Sequence, residues 1–362
     1  MSKLTKYKFS DLYEMSSGIS SSKAQSGHGS PFVSFSTVFN NYFLPEELSD
    51  LMNTSIKEQE IYSVKKDDVF ITRTSETVDA LAMSCVATKD YPKATFSGFV
   101  KRLRPKTTGI VYSKYIAFFL RSKYFRKVLD CNTIMTLRAS FNEDIFSFLY
   151  VYLPDYEEQV RIGDLLYKIE MKVRTNNKIN DNLEQQMHLI FEDMMAKATI
   201  NKIKGEFIVA KSLTQVITGK EDANFSVSNG KYKFFTCSNT PLHCDEYAFN
   251  SSSVLIAGNG DFNVKHYSGK FNAYQRTYVL SPQKEYYAIL YLAALYRINS
   301  FKTGSSGSIV KFITKSDVEN IPVFMPHDSK YLDELNKLVI MQEQNMLENE
   351  LLVQLRDWLL PM

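Results

Sequence analysis

Four cysteines in 362 residues are too few for a disulfide framework, so Cys85, Cys131, Cys237 and Cys244 are expected to stay reduced. Glycine (14) and proline (10) are scarce, which excludes collagen-like and low-complexity chains. No run approaches ~18 consecutive apolar residues, and no apolar stretch of about 7 to 15 residues follows the opening MSKLTKYKFSDLYEMSSG. Neither a membrane span nor a secretory leader is expected, and the cytoplasm is the expected location. Signatures of catalysis are thin as well. VITGKEDA places Lys220 after Gly219 but lacks the upstream glycine and the hydroxyl residue of a P-loop, and AGNGDFN has Gly258 and Gly260 without a third glycine. The chain contains no Pro-Pro, so it has no Asp/Asn-Pro-Pro methyltransferase segment. Cys237, His243 and Cys244 lie close in sequence without a second cluster to complete a metal site, and His28, His188, His266 and His327 are scattered. Pairs such as Glu206 with Lys211 are too common to mark a nuclease. No catalytic residue, metal or cofactor of its own is expected, which favours a binding protein.

What is present is core and patterned charge. Hydrophobic residues make up 44% and aromatics 13%, enough for two or three folded units in a chain of this length. Between Asp90 and Asp130 stand ten bases (Lys93, Lys101, Arg102, Arg104, Lys106, Lys114, Arg121, Lys123, Arg126, Lys127) and no carboxylate. Residues 262 to 315 hold eight bases against one acid, Glu285, whereas 155 to 197 hold nine acids to six bases and 328 to 362 seven to three. One such run is ordinarily a solvated face. Two at matching places point to a polyanion partner.

The places match because the chain repeats itself. FSDLYEMSSG (Phe9 to Gly18) aligns with AKSLTQVITG (Ala210 to Gly219) at an offset of 201, which also carries Gly29 onto Gly230. DDVFITRTS and SSVLIAGNG put Val69 over Val254 (185), TFSGFVKRLRP and NAYQRTYVLSP put Pro105 over Pro282 (177), and the stretches ending in Pro154 and Pro326 align at 172. The falling offset preserves element order while placing the longer loops in the first copy. DVFITRT and SVLIAG read as strands, and residues 113 to 130 and 284 to 300 as helices with one apolar face, giving an α+β globular part in each copy.

A helical tail follows each globular part. From Tyr156 to about Lys197, Ile162, Leu166, Ile169, Val173, Asn176, Asn180, Leu183, Met187, Ile190 and Met194 recur at alternating steps of four and three, the seam of a coiled coil in which the asparagines either fix register or mark where the helix is exposed. The second tail carries Leu335, Leu338, Met341, Leu347, Leu351, Leu355 and Trp358 as its expected apolar stripe. Pairing the tails antiparallel gives a pseudo-twofold chain: two tandem-repeat globular domains separated by two long antiparallel coiled-coil helices. The expected boundaries are 1–154 and 204–326 for the globular domains, 155–203 and 327–362 for the spacer helices.

In this order of elements the chain resembles the specificity subunit of a Type I restriction-modification system. The resemblance covers nearly the whole chain and rests on FSDLYEMSSG and AKSLTQVITG, DDVFITRTS and SSVLIAGNG, GSSGSIVKFITKSDVENIPVFMP, and the post-proline helix with EEQVRIGDLLYKIEMKV. It implies that each globular part is a target recognition domain reading one half of a split sequence in double-stranded DNA. It also implies that the helices set the gap and dock two modification subunits, which bring S-adenosylmethionine and methylate adenine. Restriction subunits can join to translocate and cleave. This chain would make no bond itself. The first copy departs from the second in having CNTIMTLRASF opposite TGSSGSIVKFI, so a Gly/Ser loop is evident only in the second.

Phosphate contacts call for Lys, Arg and small hydroxyl residues, and base reading for Arg, Asn, Gln or Ser on loops that enter a groove. The expected contacts are Arg73, Thr74, Ser75, Lys101, Arg102 and Arg104 in the first copy. In the second they are Asn239, Asn259, Lys265, Gln275, Arg276, Lys302, Ser305 and Ser306. An alternative function of another class is a tandem coiled-coil adaptor whose domains bind proteins or glycans, which salt would distinguish because an apolar interface does not dissociate steeply as ionic strength rises.

Overall fold

The computed structural model describes residues 4–20, 23–75, 81–132, 139–303 and 312–360. Two compact units emerge, residues 1–173 with 351–362 (unit one) and residues 174–350 (unit two). Both boundaries fall inside the long helices Tyr156–Thr199 (44 residues) and Lys330–Leu359 (30 residues), so each unit takes a stretch of each helix. At ~1.5 Å per residue the first helix is about 66 Å long.

Unit one is built on a four-stranded antiparallel sheet in the order Tyr13–Ser17, Val100–Pro105, Val69–Thr72, Ser84–Val86. Its VFIT strand is buried at all four positions, as a continuous apolar run requires. Unit two repeats the arrangement with Val216–Thr218, Thr277–Leu280, Phe249–Ala257 and Val264–Ala273, and extends it by Tyr232–Phe235 and Leu242–Cys244 into six strands. In each unit the entering chain forms a ribbon with the strand before the long helix: Thr5–Lys8 with Tyr150–Leu153, and Gly205–Val209 with Pro322–Pro326.

The register reproduces the sequence offsets bond by bond. Val69 pairs with Leu103 and Val254 with Leu280; Met15 pairs with Leu103 and Val216 with Leu280. The backbone N–H of Phe9 donates to Leu149 O at 2.8 Å, and that of Ala210 to Ile321 O at 2.9 Å.

Two expectations about helices change. The single helix expected over residues 113 to 130 is two, Ser113–Phe119 and Lys123–Asn132, because the Ser122 hydroxyl accepts from the Phe125 N–H and starts a new helix. The second tail is a helix with a different buried face. Leu332, Leu335 and Val339 are buried and Leu338 partly so, but the inward row continues through Gln342, Asn345 and Asn349. Leu347, Leu351, Leu355 and Trp358, expected in the seam, are exposed, Trp358 at 77%, and Met341 is exposed as well.

The first tail keeps its expected seam: Leu166, Ile169, Leu183 and Met187 are buried, while Ile162 and Ile190 pack partly buried against the core. Val173 is half-buried. Gly163, the only glycine of this helix, lies where a Cβ would come within 2.7 Å of the Tyr115 backbone nitrogen. In unit two Asn176 and Asn180 are buried and bond across the helices. Asn176 Nδ2 donates to Glu348 and Asn349, and Asn345 Nδ2 donates to Asn180 Oδ1 at 2.9 Å.

Candidate nucleic-acid interface

Each unit presents a turn braced by the same backbone hydrogen bonds. In unit one Val100 N donates to Ser97 O (2.9 Å), closing the turn Ser97-Gly98-Phe99-Val100. Arg73, which follows strand Val69–Thr72, donates its N–H to Phe99 O (2.9 Å) and accepts from Phe141 N (2.8 Å). In unit two Thr277 N donates to Tyr274 O (2.8 Å), Gly258 N to Arg276 O (2.8 Å), and Ile313 N to Gly258 O (2.8 Å). The offsets carry Phe99 onto Arg276, Arg73 onto Gly258 and Phe141 onto Ile313.

The repeated glycine has its cause here. A Cβ on Gly18 would sit 2.3 Å from the carbonyl oxygens of Phe96 and Ser97, and one on Gly219 would sit 2.0 Å from that of Ala273. Only glycine lets the strand end approach the base of each turn this closely.

At the rim of unit one stand exposed Arg73 and half-buried Thr74; Ser75 closes the short strand Thr74–Ser75, paired with Ala139–Ser140. Phe99, which the sequence reading passed over, is 67% exposed at the turn tip. Lys101, Arg102 and Arg104 do not join this group. They lie on Val100–Pro105, a central strand, and turn to internal partners. Lys101 Nζ donates to Ser17 Oγ at 2.8 Å, Arg102 to Ser63 O at 2.6 Å, and Arg104 through Nε and Nη2 to both oxygens of fully buried Asp68 at 2.7 Å. This hydrogen bonding raises the Arg104 pKa, whereas burial lowers that of Arg102. Lys106, Lys114, Arg121 and Arg126 also donate to partners within the unit, Arg121 to four carbonyls including Val38 and Asn41. Seven of the ten bases in that run thus have internal hydrogen-bond partners.

At the rim of unit two, Gln275 and Arg276 are exposed and Asn259 half-buried. Arg276 O also receives the Cys237 thiol (3.6 Å), while Asn263 Nδ2 donates to Cys237 O (2.7 Å) and Lys265 Nζ to Asn263 Oδ1 (2.5 Å) and Thr236 O (3.3 Å). Lys265 therefore stands directly behind the turn, and burial pushes its pKa down to about 8. Gly258, Gln275, Arg276, Tyr278 and Thr314 line part of a 460 Å³ cavity. Asn239 is exposed two residues beyond Cys237. Lys302 lies in the last turn of helix Tyr287–Thr303, and Ser305 and Ser306 lie outside the described residues.

The short helices behind the turns have their N-termini filled by their own caps: Asn142 accepts from Ile145 N (2.9 Å), and Thr314 from Asp317 N in a capping box. Among the described residues no group of three or more His, Cys, Asp and Glu could hold a metal ion. Nor is any described helix long and apolar enough to cross a membrane.

Comparison with known proteins gives concordant matches. The model of the family described as "Type I restriction modification DNA specificity domain" matches residues 1–185 and again 210–351. A stretch of 118 residues, 33% of this chain, is 42% identical to the Type I restriction enzyme EcoDI specificity subunit of Escherichia coli and spans 27% of that protein's length. The Type-I restriction-modification system S subunit from M. genitalium shares the fold, with a TM-score of 0.63 at 14% identity over 99% of this chain and 95% of that one. The HsdS subunit from Thermoanaerobacter tengcongensis aligns over 99% and 95% at 14% identity with a TM-score of 0.37, too low to add to the fold assignment.

Proposed function

The chain belongs to the Type I restriction modification DNA specificity domain family, and from that premise we propose that it is the DNA sequence-recognition subunit of a Type I restriction-modification complex. Each unit reads one half of a bipartite target. The long helices set the gap and dock two methyltransferase subunits, with S-adenosylmethionine bound by those partners and restriction subunits joining where the system cleaves. The chain itself makes and breaks no bond, and it works in the cytoplasm, where the genome is.

The observation that carries this reading is the duplicated rim: two turns with the same backbone bracing and different exposed side chains. A rigid backbone holding exchangeable side chains suits base reading, since little loop ordering is paid on binding. Arg73 and Thr74 contact DNA in unit one, and Asn239, Asn259, Gln275 and Arg276 in unit two. Ser75, Lys302, Ser305 and Ser306 are further DNA contacts in this reading, while Lys101, Arg102 and Arg104 hold the first surface in shape. On the second helix Leu351, Leu355 and Trp358 offer an outward apolar row for a methyltransferase subunit.

Methylation mapping of the host genome with and without this gene provides the test. One split adenine-methylated motif is expected to vanish on deletion, and the assembled complex is expected to release that duplex steeply as salt rises. An unchanged methylation map refutes the proposal.

A further inference from the structure

Phe99 and Arg276 occupy one structural position in two copies. Each is the third residue of a four-residue turn, and each carbonyl accepts the N–H of the residue that follows the neighbouring strand, Arg73 in one unit and Gly258 in the other. The backbone is therefore fixed before any ligand arrives. A large apolar ring is left 67% exposed on this braced tip, with most of its surface free for a ligand. The equivalent tip of unit two carries a guanidinium. The turn position is thus held constant while its chemistry is exchanged, as expected of a residue that selects among alternative ligand edges.

We infer, resting on the DNA-reading function proposed above, that this turn tip is a base-reading position and that the two units read opposite base chemistry through it. Phe99 packs against the 5-methyl group of a thymine in one half-site, and Arg276 donates to O6 and N7 of a guanine in the other. These are the major-groove features that an apolar ring and a planar donor fork can distinguish. Next to the tip, Gly98 of unit one aligns with Gln275 of unit two, so the second turn carries an additional amide where the first has none.

Single-atom changes in the DNA test this. The target is first read from the methylation map, and the full-length chain is purified with its methyltransferase subunits. Duplexes are then made in which deoxyuridine replaces thymidine one position at a time, removing only a methyl group. Others carry 7-deazaguanine at each guanine, removing only N7 as an acceptor.

For the wild-type complex, one deoxyuridine position in one half-site is expected to weaken binding roughly fourfold, and one 7-deazaguanine in the other half-site to weaken it as well. Phe99→Ala is expected to bind the thymine duplex more weakly and to lose all sensitivity to deoxyuridine, with the other half-site read as before. Arg276→Ala is expected to lose about 5- to 150-fold in affinity and all sensitivity to 7-deazaguanine. Melting temperatures are expected to stay unchanged, because both side chains are exposed and the bracing bonds are backbone.

A wild-type complex indifferent to every deoxyuridine overturns the inference, as does Phe99→Ala retaining the wild-type sensitivity, while leaving DNA reading intact. A wild-type complex that binds no duplex brings down the function proposal and this inference together.

Discussion

The two units keep the same main-chain bonds and differ in the side chains hung on them. The clearest case lies at the end of the strands opposite the rim, where Asp68 precedes Val69–Thr72 and Arg104 nears the end of Val100–Pro105. In unit one buried Asp68 holds the Arg104 guanidinium through two bonds of 2.7 Å. The offsets carry these positions to Ser253 and Ser281, and in unit two those two hydroxyls bond to each other at 2.8 Å. A contact has been conserved while its chemistry changed from an ion pair to a neutral hydrogen bond. The same holds for Cys85, a core residue in unit one, whose counterpart across the sheet is Lys265, and for Val86, whose counterpart is His266. His266 bonds Gln342 Oε1 at 2.9 Å and faces Glu343 at 3.2 Å, tying the second sheet to its helix by polar contacts where the first uses apolar packing. Backbone register is thus the invariant of the duplication, and almost any side-chain pair that satisfies the geometry can occupy it.

That comparison breaks most visibly at the ion pair. Arg104→Ala leaves the fully buried Asp68 carboxylate without its cation, holding only to the Lys65 backbone N–H at 2.8 Å, and is expected to destabilise unit one by about 3–5 kcal/mol. Ser281→Ala at the matching position leaves Ser253 its neighbour Ser251 at 2.9 Å and is expected to cost only about 0.5–1.5 kcal/mol. Denaturant titration of the two variants measures the contrast, and equal losses would show that the positions are not equivalent. Next in size is the seam of the second helix. Leu335→Ala, at a fully buried site, is expected to cost about 2–5 kcal/mol, whereas Leu351→Ser and Trp358→Ser should stay within about 0.5 kcal/mol in the free chain. Comparable losses at all three would restore the stripe expected from spacing alone.

The duplication was legible because strand pairing transmits offsets faithfully: Val69 over Val254 and Pro105 over Pro282 in sequence are aligned strands in space. The charge run misled because composition does not tell where a side chain ends. Arg121 reaches carbonyls some 37 to 83 residues away in sequence, satisfying the C-terminal carbonyls of helix Phe35–Asn40 and that of Ser84 on the sheet's edge strand. The second seam misled for a related reason. From Leu335 onward a leucine row and a row of Gln342, Asn345 and Asn349 both have helical spacing, and apolarity selected the outward one. The inward row is polar because Asn176 and Asn180 on the facing helix need amide partners. Phe99 was passed over because an exposed aromatic in a turn has no periodicity; only its alignment with Arg276 marks it.

The smallest expected effect separates the two rims by pH. Lys265 titrates at about 8, below the ordinary 10.5, because burial disfavours its charged form. Between those values the unfolded chain holds the proton and the folded one does not, so this lysine makes unit two more stable as pH rises from about 8 towards 10.5. DNA acts in the opposite direction, since a nearby phosphate favours the ammonium. Affinity for the half-site read by unit two is therefore expected to fall a few-fold as pH passes about 8, while the half-site of unit one, with Cys85 at the matching position, is unaffected. Lys265→Met and Lys265→Arg should each remove both slopes, the first because it carries no proton and the second because its guanidinium stays charged in the folded and unfolded chain alike; only Lys265→Arg keeps a cation beside the DNA throughout. Binding measured at pH 7 and pH 9 on duplexes mutated in either half-site decides the matter. A slope that follows the first half-site, or survives Lys265→Met, would assign the titration to another group.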